Sequence, residues 1–221
     1  MKKAFTMLAV LAAFVSASFS QSILTASEFF KSVSDFYGTI QDYEADTDIL
    51  VGSGGAMRGK VSFKRPEMLR IDFSQPDGQT ILFNGETLVI YLPGSSAILQ
   101  QTVSGSGAAA ATPEGLSLMR RYYTVAYESG QTPVPLDEDS AEMVVNLILR
   151  RRSASEAFSR MLVSVDPATL LIRRIVATTP ADLDYVFYFS NYSLNTGISE
   201  QRFIYDPPSS ANNYNNFLFS E

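Results

Sequence analysis

Residues equipped for bond-making chemistry are sparse in this chain. Neither histidine nor cysteine occurs among its 221 residues. Ser-His-Asp and Cys-His catalysis and the usual zinc sites are therefore excluded. No disulfide can form, and no thiol is present to be acylated. Carboxylate pairs and Ser-Lys chemistry stay formally open, but no spacing singles one out. The segment that stands out is Gly59-Lys60-Val61-Ser62-Phe63-Lys64-Arg65-Pro66. In a strand, Val61, Phe63 and Arg65 share one face, and Lys60, Ser62 and Lys64 the other. The first face is apolar, so the alternation sends Arg65 inward. A buried guanidinium has five donors and keeps its charge, and leaving it unpaired costs several kcal/mol. Carbonyls at a helix C-terminus, or a carboxylate, would satisfy it. The competing reading is a strand-end side chain reaching back to water, since Pro66 ends the ladder there.

The second signal is aromatic. The chain holds 15 Phe and 11 Tyr but no Trp. Several alternate along strand-like runs, as at Phe63, Phe73, Phe83, Tyr91, Phe187 and Phe189. Such residues line an apolar hollow able to take a fatty chain, at about 0.8 kcal/mol per buried methylene. They equally fill an ordinary core, and composition does not separate the two.

These residues need elements to hold them. Thr25 and Glu28 fit the capping-box spacing. Phe29, Val33 and Phe36, flanked by Phe30 and Tyr37, then fall at helical spacing up to Gly38. From Asp42 the period switches to two, with strands expected at 42–51, 57–64, 68–74, 79–84 and 87–92. Asn84-Gly85 marks a hairpin. Residues 104–112 (SGSGAAAAT) read as a connector of low complexity, followed by a helix start at Pro113-Glu114-Gly115. Strands return at 142–151, 159–166, 170–178, 184–193 and 200–205. Short loops and the absence of a βαβ rhythm imply antiparallel neighbours. A sheet of about ten strands cannot stay flat, and must close, split or curl.

The first twenty residues have the layout of a secretory signal: Lys2 and Lys3, an apolar run from Ala4 to Val15, then Ser18 and Ser20 ahead of a cleavage point near Gln21. Residues 21–221 are then the mature domain, expected as an exported, soluble species. Without Lys2 and Lys3, 15 basic residues face 23 acidic ones, a balance of −8. That balance disfavours nucleic acid and gives no general attraction to anionic lipid heads. The run Arg150-Arg151-Arg152 reads as a solvated strand end in preference to a docking patch.

The run from Gly59 to Pro76, followed by Gln79 to Pro93, resembles the LolA-type carriers of outer-membrane lipoproteins. Those proteins show G-x-x-x-[FW]-x-[KR]-R-P, then Q-P-D, then a D/N-G-x-x-[LV]-[FWI]-x-Y hairpin. Phe203-Ile-Tyr-Asp-Pro-Pro208 is similar to the family's closing F-x-[FY]-x-P-P. The resemblance implies a mainly β (α+β) domain: one curved antiparallel sheet forming an unclosed barrel of about 10–11 strands, with helices as a lid over a hydrophobic hollow. The family's inward arginine falls on Arg65, which would bond lid groups in the empty state and let go when cargo enters. Phe63 shares its face. Candidate lining residues are Leu69, Ile71, Phe73, Ile81, Phe83, Leu88 and Ile90. The stretch 112–123 is the candidate lid, with Leu116, Met119 and Tyr123 pressing into the empty hollow.

By the same resemblance the chain is a non-enzymatic carrier of the periplasm, needing no cofactor and acting as a monomer. Its partners would be acylated lipoproteins, an inner-membrane lipoprotein-releasing ABC transporter complex and an outer-membrane acceptor, with no nucleic acid. The rival readings are a lipid-binding or lipid-sensing protein of the same fold, a secreted carboxylate hydrolase, and a module that binds a membrane protein through its sheet.

Overall fold

A computed structural model of the chain describes residues 24–102 and 111–216. The signal-like segment 1–20 and residues 104–110 of the connector lie outside the described residues. Helix α1 spans Ala26–Tyr37 and is followed by five strands, β1 (Asp42–Val51), β2 (Met57–Lys64), β3 (Met68–Gln75), β4 (Asp77–Asn84) and β5 (Thr87–Leu92). Next come β6 (Ala97–Thr102), helix α2 (Pro113–Tyr122), β7 (Tyr123–Tyr127), β8 (Val134–Pro135) and β9 (Met143–Arg151). The chain finishes with β10 (Arg160–Val165), β11 (Ile172–Thr178), β12 (Asp184–Leu194) and β13 (Asn212–Asn215). No helix among the described residues is long and apolar enough to cross a membrane.

All the strands belong to one 13-stranded sheet, in the order β13-β6-β5-β4-β3-β2-β1-β12-β11-β10-β9-β7, with β8 paired to β9. β13 and β7 end this path and do not pair with each other, so the curved sheet is an unclosed barrel. Register slips interrupt the β1/β12 ladder between Glu44 and Asp46, β2/β3 between Arg58 and Gly59, and β3/β4 between Asp72 and Ser74. Such irregularities bend and twist a sheet locally. Gly59 sits at one of them. A Cβ there would lie 2.4 Å from the Asp72 carbonyl oxygen, so only glycine lets β2 and β3 approach this closely.

The expected boundaries hold within two residues for most of the strands, with three differences. The segment 200–205 is not a strand. Residues Glu200–Phe203 form a 3₁₀ turn capped by the Ser199 side chain, and Phe203 is buried beneath the sheet with Leu82, Val89 and Ile98. Strands β6, β7, β8 and β13 were not expected, which raises the count above 10–11. β13 also pairs in parallel with β6, against the otherwise antiparallel rule.

Helix α1 begins with the capping box: the Thr25 hydroxyl accepts from the Glu28 amide (3.2 Å), and the Glu28 carboxylate accepts from the Thr25 amide (2.9 Å). Its buried stripe is Phe29, Phe30, Val33 and Tyr37, with Phe36 turned partly outward. Tyr37 is the anchor. Its hydroxyl accepts from the Ile172 amide (3.1 Å) and lies 3.3 Å from the Tyr192 hydroxyl, which donates to the Ile172 carbonyl (2.9 Å). Tyr43 stacks against this group, its ring 5.5 Å from that of Tyr192.

Burial pushes the Tyr37 hydroxyl up from 10 to about 12, against the opposing pull of its bonds to Tyr192 and Ile172. Burial likewise holds Tyr43 and Tyr192 well above 10. A group whose folded pKa is raised gives stability that is intact below the unfolded pKa and is lost as pH climbs through the folded one. The denaturant midpoint should therefore hold up to about pH 10 and fall between pH 10 and about 12. Tyr37→Phe should lower neutral-pH stability by about 1–3 kcal/mol, because the Ile172 amide loses its acceptor. Urea titrations across this pH range check both outcomes.

Candidate functional site: an apolar cavity beneath helix α2

The strand registers place the candidate lining residues on one face. Phe63 stands opposite Leu69, Leu69 opposite Phe83, and Phe83 opposite Leu88. A second row runs Val61, Ile71, Ile81, Ile90. Side chains directly opposite in a ladder share a face, so an apolar strip crosses β2 to β5. The strip continues through Ile49 and Thr47 on β1 to Phe187 and Phe189 on β12, then to Ile175 and Ala177 on β11.

Helix α2 lies over the middle of this surface. The Thr112 hydroxyl caps it by accepting from the Gly115 amide (3.1 Å), and Pro113 occupies its first turn. The Tyr43 hydroxyl donates to the Ala111 carbonyl (2.9 Å) and so ties the helix start to the sheet. Leu116 is fully buried against the main core, while Met119 and Tyr123 face a cavity of about 450 Å³ between α2 and the strands. That volume falls within the ~300–1,000 Å³ of pockets that hold small ligands. Tyr122, at the end of α2, lines the cavity and is 37% exposed, so the space opens to solvent there.

Of the expected lining residues, Leu69 and Ile71 border this cavity, as do Met119 and Tyr123 of the lid stretch. Phe63, Phe73 and Phe83 are buried on the same face without bordering it. Ile81, Leu88 and Ile90 are half-buried further along the strip. The hollow is thus centred on β1–β3 and β10–β12 and not on β4 and β5. Sequence reasoning missed Ile49, Val61, Met161, Ile175 and Ala177 as lining. Phe187 and Phe189 were visible as alternating aromatics, but only the β1–β12 pairing brings their strand to the hollow. The Thr47 hydroxyl, within the cavity wall, is buried with no hydrogen-bond partner among the described residues and could bond a polar group of an occupant.

Arg65 lies one residue past the end of β2. Its Nε donates to the Ile40 carbonyl (2.8 Å) and its Nη2 to the Gly38 carbonyl (2.5 Å). Both acceptors belong to the turn that ends α1, where helix carbonyls lack intrahelical partners and the dipole favours a cation. Among the described residues, none of its hydrogen-bond partners comes from 112–123. The arginine therefore clasps the first helix of the cover and not the second.

A sequence profile of the family described as outer membrane lipoprotein carrier protein LolA matches residues 52–206. No curated protein matches the sequence. Among solved structures, an uncharacterized conserved protein from Thermus thermophilus superposes with a TM-score of 0.56 at 15% identity, covering 86% of this chain and 98% of that one. A chain of the Pseudomonas aeruginosa MucA/MucB complex gives 0.51 at 10% identity, covering 82% of this chain and 61% of that one. The Mycobacterium tuberculosis lipoprotein LppX gives 0.50 at 8% identity, covering 79% and 97%. At these identities the likeness is one of fold.

If the cavity is the binding space, filling it should block binding without unfolding the protein. Ala177, 3% exposed, lines the cavity floor. Ala177→Phe should weaken binding of an apolar fluorescent probe at least about tenfold, since the probe loses volume worth several buried methylenes. Probe titration, with thermal unfolding as the folding control, checks this.

Proposed function

The chain belongs to the LolA family of outer membrane lipoprotein carriers, and on that premise we propose that it carries the acyl chains of lipoproteins across the periplasm in the cavity beneath α2. The observation that carries the reading is the cavity itself, an apolar space of about 450 Å³ closed on one side by the sheet and on the other by a short helix. Each methylene moved from water into such a space gains about 0.8 kcal/mol. No bond is made or broken, so the process calls for no catalytic group.

In this scheme a lipoprotein leaves the inner membrane through an ATP-driven releasing complex and enters the cavity at the Tyr122 opening. Its acyl chains displace Met119 and Tyr123, and α2 moves off the sheet. Arg65 holds the end of α1 through the Ile40 and Gly38 carbonyls. Loosening that clasp in the loaded state gives the cover a second arrangement. Directional transfer requires empty and loaded states of similar free energy, since over-tight binding would prevent delivery to an outer-membrane acceptor.

Incubation of the mature protein with spheroplasts should bring acylated proteins into the soluble fraction, in complex with this chain. Free lipid in the complex without acylated protein would instead support a lipid-binding role for the same cavity. Arg65→Leu should still take up cargo yet deliver it to outer-membrane vesicles several-fold more slowly, because the empty state loses its clasp. Delivery by the variant at the wild-type rate would count against the role given to Arg65.

A further inference from the structure

We propose that the end of the sheet beside Tyr122, inner and outer faces together, is a docking surface for an anionic phospholipid bilayer. The proposal rests on the carrier reading for its purpose but on separate residues for its evidence. Six of the chain's 17 basic residues, Arg120, Arg121, Arg150, Arg151, Arg152 and Arg160, meet at this end of the sheet. Arg120 and Arg121 close the last turn of α2 beside the opening, and the Arg121 guanidinium lies 5.3 Å from the centre of the Tyr122 ring. Arg151 is the register partner of Tyr123, Arg150 of Thr124, and Arg160 of Arg150. Arg152 donates from its backbone amide to the Tyr122 carbonyl (2.9 Å) and from Nε to the Tyr123 carbonyl (3.2 Å).

Three features separate this cluster from an ordinary solvated face. Among the described residues, none of the six has a carboxylate within salt-bridge distance, whereas Arg70, Arg173, Arg174 and Arg202 each do. Arg150 and Arg160 stand directly opposite each other on neighbouring strands, an arrangement that destabilises a sheet when charges are alike. The chain as a whole is acidic, with a net charge of −6, so the cluster is a local reversal of sign. The helix dipole accounts for the two arginines that end α2. It accounts for neither the Arg150–Arg160 pair nor the convergence.

The occupant follows from position. Arg120, Arg121 and Arg151 lie beside the place where an acyl chain must enter or leave the cavity, and Arg150 and Arg160 project from the opposite face of the same strand ends. A bilayer seated there holds the cavity next to the membrane in which the cargo is handed over. Guanidinium groups pair with phosphate oxygens through two parallel hydrogen bonds. The acidic remainder of the chain is repelled by the same surface, which orients the opening toward the membrane. Glu156 is the carboxylate of this rim, and the Arg151 guanidinium takes its backbone carbonyl in place of its side chain.

The test is co-flotation of the mature protein with vesicles of phosphatidylcholine alone or mixed with phosphatidylglycerol. The wild type should float with the mixed vesicles only, and less so as salt rises. Each arginine near such a surface strengthens partitioning about fivefold, so Arg150→Gln with Arg160→Gln should weaken it about 25-fold. A control with Arg58→Gln and Lys60→Gln removes the same charge elsewhere on the sheet and should leave flotation unchanged. Arg120→Gln with Arg121→Gln serves as a second pair should the first not fold. Equal flotation with both vesicle types, equal loss in the control, or binding confined to an acidic protein would overturn the proposal. Wild-type protein that takes up a soluble acyl probe but ignores anionic vesicles would overturn it while leaving the carrier reading intact. Anionic flotation without probe uptake would do the reverse.

Discussion

The apolar face of the curved sheet must be hidden from water, and the described chain offers only two helices to hide it. Every other feature follows from how unequally they do so. Helix α1 packs tightly, with Phe30, Val33 and Tyr37 fully buried and the Tyr37 hydroxyl bonded into β11 and to Tyr192 on β12. Helix α2 buries Leu116 and Met119 against the core, but it also borders the hollow along its length, through Gly115, Leu118, Met119 and Tyr122. Segments with few packed contacts open at lower free energy than the core beneath them. Helix α2 is therefore the less firmly held part of the cover.

The opposite face of the sheet is closed by different means. Phe203 fills an apolar depression with Leu82, Val89 and Ile98. The segment carrying it is held by charge: Asp72 accepts from Arg70 and from Arg202, and Arg70 also donates to the Arg202 carbonyl (3.0 Å). Burial alone would raise the Asp72 carboxyl, but the two arginines outweigh it and hold the group below the ordinary carboxylate range. Sealing this side leaves the apolar cavity on the concave face.

Much of the architecture could be read from residue order, because hairpins are local. Asn84-Gly85 joins β4 to β5 as its composition demands, with the Asn84 side chain accepting from the Glu86 and Thr87 amides. The long-range choices were less visible. β13 is a polar Asn-rich segment whose pairing with β6 carries no periodic signature, and β7 follows α2 without a loop to mark the change. Phe203 looked like a strand residue because its neighbours alternate, yet the 3₁₀ turn capped by Ser199 buries it from one side only. Alternation with Val61 and Phe63 was the basis for expecting Arg65 to point inward. That its acceptors are the Gly38 and Ile40 carbonyls could not, since this depends on where α1 ends in space. The position of the hollow was likewise set by the β1–β12 pairing, which joins residues far apart in the chain, as in Ile49 opposite Phe187.

The account stands on a fatty chain occupying the space between α2 and the middle strands. The most direct measurement is photo-crosslinking with a palmitoyl chain bearing a diazirine near its end, followed by mapping of the adducts. Adducts on Ile71, Met119, Phe187 and other residues around the cavity are the predicted result. Adducts concentrated on the opposite face, around Leu82 and Val89, or spread evenly over the surface, would contradict it.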